Sequence, residues 1–470
     1  MLFGLPRRAG IIATLLTFIA VPALASPSLI IDVDSGQTLY QNEATVNWYP
    51  ASLTKLMTVY VALSAVREGR ITMDTPFVMS AHAASMAPSK MGFRPGTEVT
   101  LDNALKMLMV KSPNDVAVMV AEGVSGSVEN FADEMNAAAV KLGLKESHFV
   151  NPNGLPDTRQ VTSARDMAMI GRALLKEFPE EAGIFGIGAL QLGEQIIPTH
   201  NGLIGRYPGA DGMKTGFTCA AGFNVVASAT HNGKRLIVVV LGSPTPRERT
   251  AKAIALFDRG FNQWGGGLGV VDALPSPGVG PAPDMHQEIC SRRNRAAALA
   301  AEEEDMRAAS PADFGGGGLG RGLSLFSAVA TTNDPIAMAA LPAPHFDPVL
   351  VFVGPKPGWT GAVAAARSTP PSTEKANFAS PETVSAYTAS DKSVDPNAVQ
   401  PVATSAPMAL QGAVHGGVKL TAIASQRRSA VKKLNDAKAI KKIAVSTTPK
   451  KATGSPDGAA ATGAKAPGSR

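Results

Sequence analysis

The sequence offers little from which to build a thiol or a metal site. Its 470 residues hold 2 cysteines, Cys219 and Cys290, which excludes a disulfide scaffold and allows one bridge at most. Cys219 reads as a small buried residue rather than as a partner of Cys290. The 7 histidines are scattered, and none forms the His-Glu-x-x-His pair of a zinc helix. No metal and no other cofactor is expected. The apolar run AGIIATLLTFIAVP (9–22) is short for a membrane span, which needs about 20 residues. It follows Arg7-Arg8 and precedes Ala23-Leu24-Ala25, so it reads as a signal peptide cleaved after Ala25. The paired arginines leave a twin-arginine export route open, with poor flanks.

Charge is unevenly spread. Residues 411–470 carry 12 Lys or Arg against 2 Asp or Glu, so the net charge of +6 belongs to the tail and the remainder is net negative. No nucleic-acid partner is expected. The basic segment 429–445 offers contact with membrane or cell wall, with a solvated charge run as the plainer reading.

Residues 26–264 read as one globular domain. LIIDVD and QTLYQ flank Asp34-Ser35-Gly36 as a hairpin. Helical patterns follow over 51–67, over 101–123 with a break at Pro113, over 128–142 and over 163–178. FNVVASAT and RLIVVVL then flank Asn232-Gly233, a strong hairpin signal, before a last helix from about Arg247 to Gln263. Strands at both ends with helices between predict an α/β or α+β domain. Residues 265–470 are rich in Ala, Pro, Gly and Ser and are expected to be mostly disordered, with DPVLVFVGP (347–355) as a lone strand.

Three short stretches carry chemistry. In PASLTKLMT, Ser52 and Lys55 lie three apart, on one face of a helix. A desolvated lysine there loses its charge easily and can take the serine's proton. The pair alone is weak, because Ser372–Lys375 and Ser429–Lys432 repeat it in the tail. In KSPND, Ser112 could shuttle a proton and Asn114 bind an amide, although Ser, Pro and Asn also make ordinary turns. In DGMKTGFT, Lys214 brings positive charge, Thr215 a hydroxyl, and Gly216 a close approach along an edge strand. The order Ser-x-x-Lys, Ser-x-Asn, Lys-Thr-Gly is the motif set of penicillin-binding proteins and class A β-lactamases.

The chain resembles the low-molecular-mass penicillin-binding proteins that act as D-alanyl-D-alanine carboxypeptidases, serine peptidase family S11. The similarity runs through IDVDSGQTLYQNEA, PASLTKLMT, GTEVTLDNALKMLMVKSPNDVAVMVAEGVSGS, NPNGLPD, TSARDMA and DGMKTGFTCAAGFNVVASA, covering most of 28–262. It implies a five-stranded antiparallel sheet packed with a helical lobe. It implies Ser52 as nucleophile, Lys55 as general base and Ser112 as proton relay. Asn114 would bind the peptide, while Lys214, Thr215 and Arg249 hold a terminal carboxylate, with Arg247 close by. The N–H groups of Ser52 and Phe217 would form an oxyanion hole, beside Gly216. The implied partners are peptidoglycan stem peptides ending in D-Ala-D-Ala, with β-lactams as covalent inhibitors. The implied setting is the periplasm, free or at the inner membrane, and the implied role is peptidoglycan maturation and cell-shape maintenance. Many relatives carry histidine where this chain has Asn153, and some where it has Phe217. A class A β-lactamase would need a Glu-x-x-Leu-Asn segment, which the sequence lacks. Cross-link cleavage by the same site and a non-catalytic wall scaffold are the remaining alternatives.

Overall fold

The structure is a computed structural model that describes residues 26–262, 267–291, 296, 300, 335–339, 344 and 346–367. The chain divides into two units, 1–394 and 395–470, and every described residue belongs to the first. The signal-peptide expectation (1–25) and the basic segment 429–445 lie outside the described residues.

The hairpin β1 (Ser28–Asp32) and β2 (Thr38–Asn42) forms where Asp32 Oδ1 accepts from Ser35 N at 2.8 Å and Gly36 turns at φ 72°. It joins β7 (Ala210–Thr218), β8 (Gly222–His231) and β9 (Lys234–Ser243) in a five-stranded sheet of order β2-β1-β9-β8-β7, each pair antiparallel. Asn232 and Gly233, at φ 50° and 77°, make the two-residue β8–β9 turn. As predicted, β7 is an edge strand.

The central strands are buried on both faces, so they read as unbroken apolar runs. Alternate residues serve two cores. Val225, Ala227, Leu236 and Val238 pack under Ile254 and Phe257 of α7 (Pro246–Asn262). Val226, Ile237 and Val239 face the helical lobe. That lobe comprises α1 (Thr54–Arg67), a short α2 (Ala81–Ala84), α3 (Leu101–Val110), α4 (Asn114–Ser125), α5 (Val128–Lys141) and α6 (Ala164–Glu177). α1 is buried nearly all round, as expected of a helix apolar on every side. Thr100, Ser127 and Ser163 cap α3, α5 and α6. Pro113 separates α3 from α4, since it has no N–H for a continuing helix.

Sequence pattern missed two small sheets. β3 (Pro76–Val78) pairs with β4 (Glu98–Thr100), and β5 (Ala189–Leu192) with β6 (Gln195–Pro198). These strands have three or four residues, too few for an alternation to register.

The folded body also runs past residue 264. Residues 267–291 form a strap. Leu268 N donates to Thr38 O at 2.7 Å, Asn47 brackets Gly278 and Gly280, and Met285 N reaches Ala220 O at 3.0 Å. The strap ends in α8 (His286–Cys290), whose Cys290 is bonded to Cys219 with Cα atoms 5.5 Å apart. The reading of Cys219 as an unbridged buried residue is therefore corrected. The partners lie 71 residues apart, and only the strap's path brings them together. A short helix α9 (Pro335–Ala339) places Met338 against the core under α7. Residues 349–351 are not a lone strand either: β10 (Val349–Val351) adds in parallel to β5. No helix among the described residues is long and apolar enough to cross a membrane.

Opening the 71-residue loop by Cys290→Ser should cost up to about 4 kcal/mol by chain entropy. Scanning calorimetry should register this as a fall in Tm of about 10 °C. An unchanged Tm would mean that the strap's hydrogen bonds hold it without the bridge.

Candidate active site

A tight 3₁₀ turn, Ala51–Leu53, leads into α1 and carries Ser52 half-buried at its centre. Asn224 of β8 fixes this turn, donating from Nδ2 to Tyr49 O at 3.0 Å while its Oδ1 accepts from Gly242 N. Ala51 is held at φ 48°, an uncommon conformation for a residue with a Cβ. One turn on, Lys55 is fully buried, at 0% exposure. Its Nζ lies 3.1 Å from Ser52 Oγ, 2.8 Å from Asn114 Oδ1 and 2.6 Å from Asn153 O. Burial, then the positive charge of Lys214, holds this amine well below the usual lysine range, and Asp115 acts the other way.

The carbonyl of Asn153 arrives on the loop 151–155. Thr58 Oγ1 donates to Pro152 O at 2.6 Å, and Gln160 Nε2 ties Asn151 to Thr54 Oγ1. Gly154, at φ 83°, lies so close to the Ala51–Leu53 turn that a Cβ would sit 1.8 Å from Ala51 O.

Ser112 and Asn114 occupy the α3–α4 junction. Ser112 has φ 59° and 5% exposure, and its hydroxyl has no hydrogen-bond partner among the described residues. A buried, unpartnered hydroxyl on strained backbone is a common mark of function. The loop 86–92 packs over this junction. Asn114 Nδ2 donates to Ala87 O at 3.0 Å, and Asn114 N to Ser89 O at 2.6 Å. The Asp115 carboxylate holds the loop's far end, accepting from Met91 N at 3.0 Å and Gly92 N at 2.8 Å.

β7 closes the other side. Gly216 passes so near the turn that a Cβ there would lie 3.0 Å from Ser52 N and 3.1 Å from Leu53 N. Phe217 stacks on Phe223 with centroids 4.1 Å apart. Lys214, at 1% exposure, donates to Thr215 O at 2.9 Å. Burial, then the Arg249 guanidinium, lowers its pKa to about 7. Arg249 itself is buried, on α7. His200, half-buried between β6 and β7, has its pKa held well below the usual imidazole range by burial and then by Lys214, Lys111, Arg249 and Lys55. A buried field of one sign favours an anionic ligand.

All nine residues expected from sequence thus converge here, with Ser52, Lys55 and Asn114 in direct contact. Gly216 lies against the Ser52 turn with Thr215 and Phe217 beside it on β7, Ser112 shares the α3–α4 junction with Asn114, and Lys214 and Arg249 bring positive charge to the site.

Comparisons with known proteins give the family. A model of the Peptidase S11 family, D-alanyl-D-alanine carboxypeptidase, matches residues 19–245. The chain is 38% identical over 245 residues to the D-alanyl-D-alanine carboxypeptidase DacF of Bacillus subtilis, covering 51% of this chain and 63% of that one. It is 32% identical over 245 residues to DacB2 of Mycobacterium tuberculosis, covering 50% of this chain and 81% of that one. The chain belongs to the D-alanyl-D-alanine carboxypeptidase family S11. Among solved structures, penicillin binding protein 5 from Haemophilus influenzae matches at 38% identity and a TM-score of 0.49, over 50% of this chain and 70% of that one. This S11 chain spans 63%, 62% and 60% of the lengths of three curated relatives, DacF and two others.

Sequence reading missed part of the S11 site. Asn153 drew notice only for its side chain, whereas its carbonyl makes the contact with Lys55. Asp115 reads as the end of a turn, Asn224 and Gln160 as ordinary polar residues, and His200 as one of seven scattered histidines. The glycine of NPNGL was the one available signal for a close approach.

Asp115→Ala should free the loop 86–92 from its carboxylate anchor. Limited trypsin digestion should then cut after the exposed Lys90 at least about 10-fold faster, as expected when a charged hydrogen bond worth ~1.5–3 kcal/mol is lost. Equal cutting rates would show that the bonds of Asn114 and Ser89 hold the loop without Asp115.

Proposed function

We propose that this chain is a serine-type D-alanyl-D-alanine carboxypeptidase. It would remove the terminal D-alanine of peptidoglycan pentapeptide through a Ser52 acyl-enzyme. One observation carries this reading. The two shorter contacts of Lys55 Nζ, at 2.6 and 2.8 Å, go to carbonyl oxygens, which only accept. A neutral amine has two N–H donors and one lone pair. With both donors engaged by Asn153 O and Asn114 Oδ1, the lone pair is left for the Ser52 hydroxyl at 3.1 Å.

The chemistry follows as two acyl transfers. The terminal carboxylate docks against Lys214, Thr215 and Arg249, and its charge restores the proton that burial has loosened from Lys214. Ser52 Oγ bonds to the penultimate D-alanine's carbonyl carbon as its proton passes to Lys55. The carbonyl oxygen takes the electron pair and sits against the N–H groups of Ser52 and Phe217, an arrangement worth several kcal/mol. The C–N bond then breaks, and the leaving nitrogen receives the proton from Lys55 through Ser112. Water adds to the ester, gives a proton to Lys55, and Ser52 Oγ departs with it. A β-lactam offers an amide carbonyl beside a carboxylate and should acylate Ser52 in the same way. Cleavage of cross-links would use identical steps, so it stands as the second activity to measure. Export with cleavage after Ala25 is part of the proposal. Periplasmic action, peptidoglycan maturation and cell shape go with it.

Brief exposure to benzylpenicillin should add one penicilloyl mass to the native chain and none to Ser52→Ala. Free D-alanine should be released from a D-Ala-D-Ala pentapeptide. Penicillin hydrolysis without an adduct would replace this reading with a β-lactamase. No adduct and no hydrolysis would defeat the nucleophile assignment.

The acidic limb of the acylation profile should follow Lys55, which must be neutral to accept a proton. Lys214 lowers the Lys55 pKa by like charge, so Lys214→Gln should let Lys55 keep its proton to higher pH. The limb should move to higher pH and kcat/KM should fall by about 10²-fold or more. A limb that stays in place would assign it to another group. Ser112→Ala should slow acylation by about 10²–10⁴-fold with binding retained.

A further inference from the structure

A second cavity, of about 670 Å³, lies at the far end of α4 from Asn114. One wall is the helical lobe: the turn after α1 with Arg70 and Thr72, the end of α4 with Ser125, and α5 with Asn130 and Glu134. The other wall is the segment 359–367, which contributes Trp359 and Arg367. That segment is docked by backbone pairing, from Ala364 N to Pro76 O at 2.8 Å, Val78 N to Ala364 O at 2.9 Å and Arg367 N to Gly126 O at 2.9 Å. The cavity therefore exists only because residues beyond the catalytic domain return to the lobe.

Its volume falls in the range of about 300–1,000 Å³ typical of small-molecule sites. Its polar groups are braced before any ligand arrives. Glu134 accepts from Arg70 Nη2 at 2.8 Å and from Ser125 Oγ at 2.7 Å, and Asn130 Nδ2 donates to Ser125 O at 3.2 Å. Glu134 offsets the charge of Arg70 on this wall, and Arg367 adds one cation on the other. An anion is therefore the competitor that the test below must exclude. Opposite stands one indole, whose Nε1–H has no hydrogen-bond partner among the described residues. A ligand with one apolar face and many hydroxyl or amide groups on its rim matches an aromatic plate facing planar hydrogen-bonding side chains. A pyranose ring has that form, and an N-acetyl group adds an amide for the Asn130 side.

We propose that this cavity binds an amino-sugar disaccharide of the glycan strand, with Trp359 beneath the sugar and Asn130 and Glu134 at its rim. The choice of glycan among sugars rests on the carboxypeptidase reading above. The 12 residues of α4 put about 18 Å of mostly buried helix between the two sites, and an extended five-residue peptide reaches about 17 Å, so the cavity would hold the glycan strand independently of the stem peptide at Ser52.

The test titrates the full chain with peptide-free N-acetylglucosaminyl-N-acetylmuramic acid by calorimetry, with sodium sulfate as the anion control. Penicilloyl transfer to Ser52 is read on the same samples. Millimolar or tighter binding of the disaccharide, with none of sulfate, is expected. Trp359→Ala should weaken it by about 10-fold or more and Trp359→Phe should largely restore it. Asn130→Ala, on the wall that does not depend on the docked segment, should also weaken it, with acylation unchanged in all three variants. No disaccharide binding by a chain that still forms the penicilloyl adduct would overturn the sugar site and leave the carboxypeptidase reading intact. Sulfate binding in its place, or disaccharide binding indifferent to both Trp359 and Asn130, would overturn it as well. Disaccharide binding by a chain that forms no adduct would support the site as a sugar site while removing its link to D-alanine chemistry.

Discussion

The structure depends on one buried amine. Lys55 has no exposed surface, and taking a charged ammonium into such a place costs several kcal/mol unless it is paired or neutral. Among the described residues, no carboxylate contacts its Nζ; two carbonyl oxygens and one hydroxyl do. The site thus favours the neutral form, which is the form able to take a proton. The like charge of Lys214 pushes in the same direction. Each remaining feature of the cleft serves to keep that amine enclosed and those three oxygens in place.

The enclosure demands backbone approaches that side chains would forbid. Gly154 lets one loop lie on the carbonyl of Ala51, and Gly216 lets the edge strand lie on the amides of Ser52 and Leu53. Ala51 and Ser112 hold positive φ on either side of the cleft. Such strain persists only where the surroundings over-determine it. Here those surroundings are a helix buried on all sides, a sheet covered on both faces, and polar braces at Asn224, Gln160 and Asp115. A rigid scaffold is the condition for holding a reactive geometry within a fraction of an ångström.

The segments after α7 add to this body rather than trailing from it. The strap 267–291 runs from the first hairpin to the β7–β8 turn and ends in the bridge at Cys219, two residues beyond Phe217. Residues 346–367 extend the small β5–β6 sheet and line the second cavity. Both are rich in Gly, Pro and Ala, a composition that suggests disorder when read alone. They are ordered by surfaces that residues 26–262 supply, and composition does not encode such surfaces.

By itself, the sequence determined the elements and the chemistry. Pro113 and the Asn232-Gly233 turn set boundaries by local backbone physics, and the long apolar periods of α1, α4, β8 and β9 required burial on particular faces. The motifs at 52–55, 112–114 and 214–217 singled out the candidate site residues, because the chemistry open to serine, lysine and asparagine is legible in their types. Tertiary structure decided the rest. Which carbonyl faces Lys55, that Asp115 anchors a loop, that His200 stands near Lys214, Lys111 and Arg249 and that Cys219 meets Cys290 are all contacts between separate elements, 23 residues apart for Asp115 and Gly92, 71 for the cysteines and 98 for Lys55 and Asn153. Backbone carbonyls carry no residue-type signal, and a contact across the fold leaves no period in the chain. Lys55 is the plainest case: the sequence supplied the amine, and only its burial in the fold lowers its pKa.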